Sequence, residues 1–487
     1  MTGILLTIVL FALAGYALWS YYITPALKSG IKKDNNAVYI IITASFAFIL
    51  RLILAGMYKG HETDMTCFIS WSNAIFEHGL SEFYTLDMFH DYPPGYMYVL
   101  YAVGALQKLF GFSGSLQYIL IKLPAIACDI ITGIFIYKLA KKKFSDGLST
   151  IFAALYLFNP AVITNSSLWG QVDSVYTLFV LLMIYFIAEK KMIISYFIFA
   201  ICIFIKPQAL IFTPVLIGGI VENVFLNGFD RKVFLKNLGF GICAILMIFL
   251  LAMPFGSFPL GGVTNVFEQY KATIASYPHL TVNAMNLWGA LGKNWDDLSS
   301  LTSIIGYLFI LAITVYSLYL FFKSKSKAKY YFTGAILAFL TYMLSTKMHD
   351  RYAFPSMVLM LIAFIYAANV KNYLSYVLLT LSQFFNTAWV LFVYEQDTGK
   401  YFKSPVFVVA SIINIIIMAY ILYLSKKEYI DNKFTTPVNP LPNKTKKSSG
   451  VTKMNTKKSF TMNLSNKLPK ITRFDLIAMA VITVIYS

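Results

Sequence analysis

The sequence predicts an all-α protein that crosses a membrane many times. Of its 487 residues, 58% are hydrophobic and only 13% are charged, whereas a soluble domain is about half apolar and about a quarter charged. The apolar residues gather in stretches close to the length of a membrane span, with basic clusters between them on alternate sides. Aromatic residues, at 17%, suit interfacial belts and cavity linings. Cys67, Cys128, Cys202 and Cys243 are widely spaced, and their pattern fits neither a disulfide framework nor a metal site.

Thirteen apolar stretches read as spans, at about 3–22, 37–57, 116–137, 148–164, 172–188, 192–205, 208–222, 237–256, 301–322, 330–346, 353–370, 372–394 and 404–425. A further one starts near 475 and is cut by the chain end at Ser487. The first 22 residues lack the charged start and small-residue cleavage site of a signal peptide and read as a retained helix. Residues 426–474 hold 12 Lys and Arg among Asn, Ser, Thr and Pro, the composition of a disordered linker. The expected divisions are therefore 1–36 (an extra helix and cytoplasmic loop), 37–425 (the main membrane module), 426–474 (the basic linker) and 475–487 (the start of a further span). The last two suggest a fragment of a two-module protein.

Lys and Arg set the orientation. If 95–111 crosses, the cluster at Lys138 and Lys141–Lys143 falls outside. If it lies on the outer surface, every later basic cluster falls inside. The second choice places 29 of the 40 basic residues in cytoplasmic loops and 13 of the 22 acidic ones outside. It leaves two large extracytoplasmic loops, 58–114 and 257–300, expected to carry short surface helices. The net charge of +18 then reads as an orientation signal, helped by anionic lipid, and nucleic acid is not an expected partner.

Candidate chemistry collects on that outer side. Glu62 and Asp64 open the first loop, where a carboxylate near apolar surface can serve as a general base; a solvated acid or a helix cap is the bland alternative. The loop ends in Asp91-Tyr92-Pro93-Pro94-Gly95, a rigid turn. Trp169, Gln171 and Asp173 lie at another outer turn, where amides and a carboxylate can bond sugar hydroxyls and an indole can stack on a sugar ring. Lys206, Lys347, His349 and Arg351 are basic groups at outer turns, suited to a phosphate. Arg51 and Lys122 lie inside spans, where buried cations are usually functional or paired; Lys122 could pair with Asp129 seven residues on. Tyr277, His279, Asn283, Asn286 and Trp288 offer a carbohydrate-like surface in the second loop. The sequence holds no Gly-rich phosphate loop, HExxH, CxxC pair or nucleotide fingerprint.

Together, "HETDMTCFISW", "DYPPGYMYVLY", "NPAVITNSSLWGQVDSVY", "KPQALIFTP" and "KMHDRYAFP" resemble the GT-C superfamily of membrane glycosyltransferases. The likeness is to bacterial relatives of the GPI-anchor and protein mannosyltransferases, over roughly 37–425. The resemblance implies transfer of a hexose, mannose by family, from a polyprenyl-phosphate sugar to a glycan, lipid or protein hydroxyl, with inversion. Asp64 matches the activating aspartate. Lys206, Lys347, His349, Arg351 and Arg51 are candidates to receive the donor phosphate. Glu62, Tyr92, Trp169, Gln171, Asp173 and Asp350 are candidate substrate contacts. No metal or other cofactor is expected, and the expected location is a bacterial plasma membrane with the site facing outside. A transporter or flippase for lipid-linked or phosphorylated solutes is the alternative.

Overall fold

The computed structural model describes residues 1–28, 36–226, 228–275, 277–394 and 403–434. The expected span from 475 and all but the first residues of the expected linker lie outside them. Each of the thirteen apolar stretches falls on a helix. By length and composition, eight helices of the described residues can cross a membrane, or nine if Asp146–Leu157 and Pro160–Trp169, bent by 47°, form one span. The thirteen expected spans are therefore not all supported. Asp173–Ala188, Met192–Ile205, Lys329–Leu344 and Phe354–Ala367 have 14–16 residues, about 21–24 Å of helix against a hydrocarbon core of about 30 Å. Lys329–Leu344 and Phe354–Ala367 are buried on nearly every side, so protein surrounds these two where lipid surrounds a peripheral span.

Polar side chains at the turns fix where helices start. Ser145, Asn159, Asp230, Ser299, Asn369 and Ser404 each accept a hydrogen bond from a first-turn amide, satisfying donors that a helix start leaves open.

The turns gather at two ends of the bundle. At one end Lys142 meets Glu189 at 3.1 Å, and Glu222 receives Lys190 at 2.6 Å and Lys329 at 2.5 Å. Lys143 Nζ donates to Tyr366 O there at 3.1 Å. At the other end His61 N donates to Trp169 O at 3.3 Å, Lys347 N to Leu280 O at 3.0 Å, and Gln208 Nε2 to Tyr352 OH at 2.9 Å. The first end carries the basic clusters that the charge rule places inside.

This grouping decides the status of 95–111. The helix Pro94–Phe110 begins beside the second end, because Gly95 lies so close to the Phe204 carbonyl that a Cβ would come within 2.5 Å of it. The next helix, Ser115–Lys141, starts at that same end, with Ser115 and Ile119 against Gly56. Pro94–Phe110 therefore starts and finishes at one end and does not traverse the bundle. It pairs with Glu62–His78, which it approaches through Gly104 over the backbone of Ser72. The second large loop carries Gly261–Ala275 and Leu287–Ala290. Its Thr281–Val282 pairs in parallel with Met348–His349.

The expected disordered linker starts later than 426. Ser425–Ile430 forms a π-type turn and packs back on the bundle. The buried Glu428 carboxylate accepts from Asn369 at 3.0 Å and Asn372 at 2.9 Å, and Tyr429 stacks on Phe332 at 3.7 Å. Composition alone missed these contacts because they are made to helices distant in sequence. A reporter tag inserted at Phe112 is expected to read out on the non-cytoplasmic side; a cytoplasmic signal there would refute the surface placement of Pro94–Phe110.

Candidate functional site

Four chain segments meet at the end opposite the basic clusters. They are the turn before Glu62–His78, the Tyr92-Pro93-Pro94 turn, the π-type turn Thr164–Trp169 with the residues after it, and the strip 345–353. Gly170 closes the π-type turn at φ 93°, a left-handed conformation that glycine adopts without a Cβ clash.

Asp64 lies in the first turn of its helix with its side chain 25% exposed. Trp169 Nε1 donates to its Oδ2 at 2.6 Å, and Gln171 Nε2 donates to the same oxygen. His61 Nδ1 stands 3.6 Å from that oxygen, and burial holds this imidazole below its ordinary value despite Asp64 beside it. Tyr92 OH donates to Gln171 Oε1 at 3.2 Å. Oδ2 is thus fixed by two donors, and the carboxylate stays partly exposed.

Behind Asp64 sits the buried Asp173. Its Oδ1 receives Lys206 Nζ at 2.5 Å, and its Oδ2 receives Asn165 Nδ2 at 3.1 Å, with Arg351 Nε at 3.8 Å. Lys206 also lies over the rings of Tyr176 and Tyr352, at 5.1 and 5.5 Å, where cation–π attraction adds to the ion pair. Arg351 faces Asp350 at 3.4 Å and the Trp169 ring at 5.6 Å.

Asp350 and Asp91 differ from these two acids. Burial pushes Asp350 up to about 7; Arg351 opposes the rise, and Asp64 and Asp173 add to it. Burial, with Asp64, pushes Asp91 up to about 6 against Arg351. Asp350 Oδ2, Arg351 Nε, Gln208 Oε1 and Gln383 Oε1 are buried with no hydrogen-bond partner among the described residues. Buried polar atoms are normally satisfied, so this cluster suits a polar ligand.

The structure brings together Asp64, Tyr92, Trp169, Gln171, Asp173, Lys206, His349, Asp350 and Arg351, and it changes several expected roles. Trp169 is not an open stacking platform: His61 stacks on it at 4.9 Å and 13°, Arg351 covers it, and only 1% of it is exposed. His349 is not a cation, since burial, with Arg351 and Lys206 nearby, holds its value well below the ordinary one. Glu62 points away, paired with Lys59 at 2.5 Å and 79% exposed. Arg51 is sealed inside the bundle against Asp129 at 3.6 Å, so it does not reach the donor-phosphate position; Asp129 pairs with it and not with Lys122. Lys347 joins through its backbone, at φ 61° and with its amide on Leu280 O.

In the second loop, Asn283 accepts from Trp295 Nε1 at 2.9 Å, Asn286 donates to Tyr342 O at 3.1 Å, and Trp288 donates to Leu344 O at 3.1 Å. Asn286 and Trp288 thus tie the loop to the bundle, and Asn283 is held within the loop. Sequence reasoning passed over Gln383 and Asp91 as site residues. Gln383 had a signal, a polar residue within an apolar span. No group of three or more His, Cys, Asp or Glu among the described residues is placed to hold a metal ion.

The family model described as GPI transamidase subunit PIG-U matches residues 61–342, more than half of the chain, so the chain belongs to the PIG-U family. The chain is 33% identical to GPI mannosyltransferase 1 of Candida albicans over 96 residues, which are 19% of this chain and 24% of that protein. It is 38% identical to GPI mannosyltransferase 1 of Debaryomyces hansenii over 93 residues, 18% of this chain and 22% of that one. The alignments thus span about a quarter of these relatives' length. They bear out the likeness to GPI-anchor mannosyltransferases read from the motifs. Both relatives are yeast proteins, and the expected bacterial plasma membrane gains no support from them.

Two predictions follow from the charges. Lys206→Met strands a buried carboxylate and should cost about 3–5 kcal/mol, and adding Asp173→Asn should restore much of the loss, both read by thermal unfolding in detergent. Asp350 and Asp91 bind protons more tightly folded than unfolded. The stability they add is complete below the ordinary carboxylate value of 3.8 and is lost as pH rises through about 6 and about 7. Asp350→Asn should therefore flatten the fall of the unfolding midpoint over that range; an unchanged slope would exclude Asp350 as its source.

Proposed function

We propose that this member of the PIG-U family binds a lipid-phosphate-linked sugar at the non-cytoplasmic membrane face and transfers its hexose, with inversion, to an acceptor hydroxyl. The reading rests on Asp64: two N–H donors fix one oxygen of a carboxylate that stays partly exposed. A carboxylate so aimed can take the acceptor's proton as the oxygen attacks the anomeric carbon. The bond from that carbon to the phosphate oxygen breaks, and its electron pair leaves with the phosphate. Arg351, beside Asp64 and partly exposed, is the group that would meet this charge. Lys206 is held by Asp173. The donor is a polyprenyl-phosphate hexose, and mannose is the sugar by likeness to the yeast relatives.

A second reading has its own support. The family description names a transamidase subunit, and Asp173 already pairs with both cations. In that reading the site recognises a lipid-linked glycan and breaks no bond. Purified protein, polyprenyl-phosphate mannose and an alkyl mannoside acceptor separate the two. Transfer should fall about 10²–10⁴-fold in Asp64→Asn while donor binding persists. Binding without transfer in the wild type would favour the second reading, and full activity in Asp64→Asn would remove Asp64 as base.

A further inference from the structure

We infer that Lys122 is a positioning residue that sets the distance between Asp64 and the two donors that aim it. Lys122 lies in the helix Ser115–Lys141 with no exposed surface. Its ammonium meets three backbone carbonyls: Tyr58 O at 2.6 Å, Ala55 O at 3.3 Å and Leu168 O at 3.3 Å. Ala55 and Tyr58 belong to the C-terminal end of the helix Val38–Met57, and Leu168 to the end of the π-type turn. Helix C-termini leave carbonyls unpaired and carry roughly half a negative charge each. Two such ends balance one ammonium without a carboxylate.

The two ends lead directly into the site. From Tyr58 the chain runs through Gly60 and His61 to Asp64, and from Leu168 it runs through Trp169 and Gly170 to Gln171. Beyond Lys122 the arms touch again. His61 N donates to Trp169 O, and Met65 fills a notch between Gly60 (φ 111°) and Gly170 (φ 93°). A Cβ on Gly60 would lie 2.4 Å from Trp169 O, and one on Gly170 would lie 2.6 Å from Met65 Sδ. The arms are packed to backbone contact, and Lys122 supplies the charge that holds both carbonyl ends together. Without it the ends repel and expose unpaired carbonyls, and the Trp169 and Gln171 donors drift from Asp64.

The kinetic part of the test rests on the transfer reading, so a structural readout accompanies it. In full-length protein in nanodiscs, Lys122→Met should raise amide hydrogen exchange in 58–66 and 165–172 and leave other segments unchanged, with Lys122→Arg restoring protection. A rise across all segments, or none in these two, overturns the inference. With polyprenyl-phosphate mannose as donor, Lys122→Met should lower kcat on the order of 10²-fold with KM nearly unchanged. In a Trp169→Phe, Gln171→Leu background, which lacks both donors, the further loss should be under about threefold, because Lys122 acts through those two contacts; multiplied losses overturn it. Should the wild type bind donor without transfer, the transfer reading fails, and the exchange result still decides the role of Lys122.

Discussion

Asp173 carries its carboxylate at zero exposure inside a membrane-embedded bundle, and everything around the site is arranged to answer that charge. A buried carboxylate is tolerated only with cations and donors close by. Lys206 and Asn165 meet it directly, and Arg351 completes the group. These partners come from three turns far apart in sequence, so meeting one charge draws the turns together. Asp64 and its two donors then stand in front of an electrically balanced wall, Asp64 and Asp173 against Lys206 and Arg351. Asp91 and Asp350 hold protons more readily than free carboxyls do, which keeps two more acids from upsetting the balance.

The sequence was most legible where a single physical rule dominates. Apolar stretches mark every helix long and apolar enough to span, because a helix satisfies its own backbone groups in the bilayer interior. The Lys and Arg count settled the surface placement of 95–111, and the contacts of Gly95 and Ser115 agree with it. Asp64, Trp169 and Gln171 were picked out by position and residue type, and they touch. Legibility failed where the partner is remote in sequence. Arg51 looked like a free cation because Asp129, which neutralises it, is 78 positions away. Trp169 looked like an open ring because neither His61 nor Arg351 is its neighbour in the chain. The number of spans was legible only in part, because hydropathy cannot tell a helix wrapped by protein from one wrapped by lipid.

The family and the two yeast relatives share a subject, the GPI anchor, but their descriptions assign different tasks to it. The geometry accommodates that split. A site that can bind a phosphate-linked glycan needs the polar wall of Asp173, Lys206 and Arg351, and a site that also reacts needs an aimed base in front of it. Asp64 is what distinguishes the two, and its aim depends on the joint between the segments that lead to it and to Gln171.

The helical pair Glu62–His78 and Pro94–Phe110 has a consequence for how the chain is made. In the orientation that the charge rule gives, the segment 58–114 is carried across the bilayer whole during insertion, between the span before it and the span after it. Translocation is hindered by Lys and Arg and hardly by Asp and Glu. The segment contains six carboxylates and two lysines, Lys59 and Lys108. The composition that furnishes the site with acids therefore also makes this stretch easy to export.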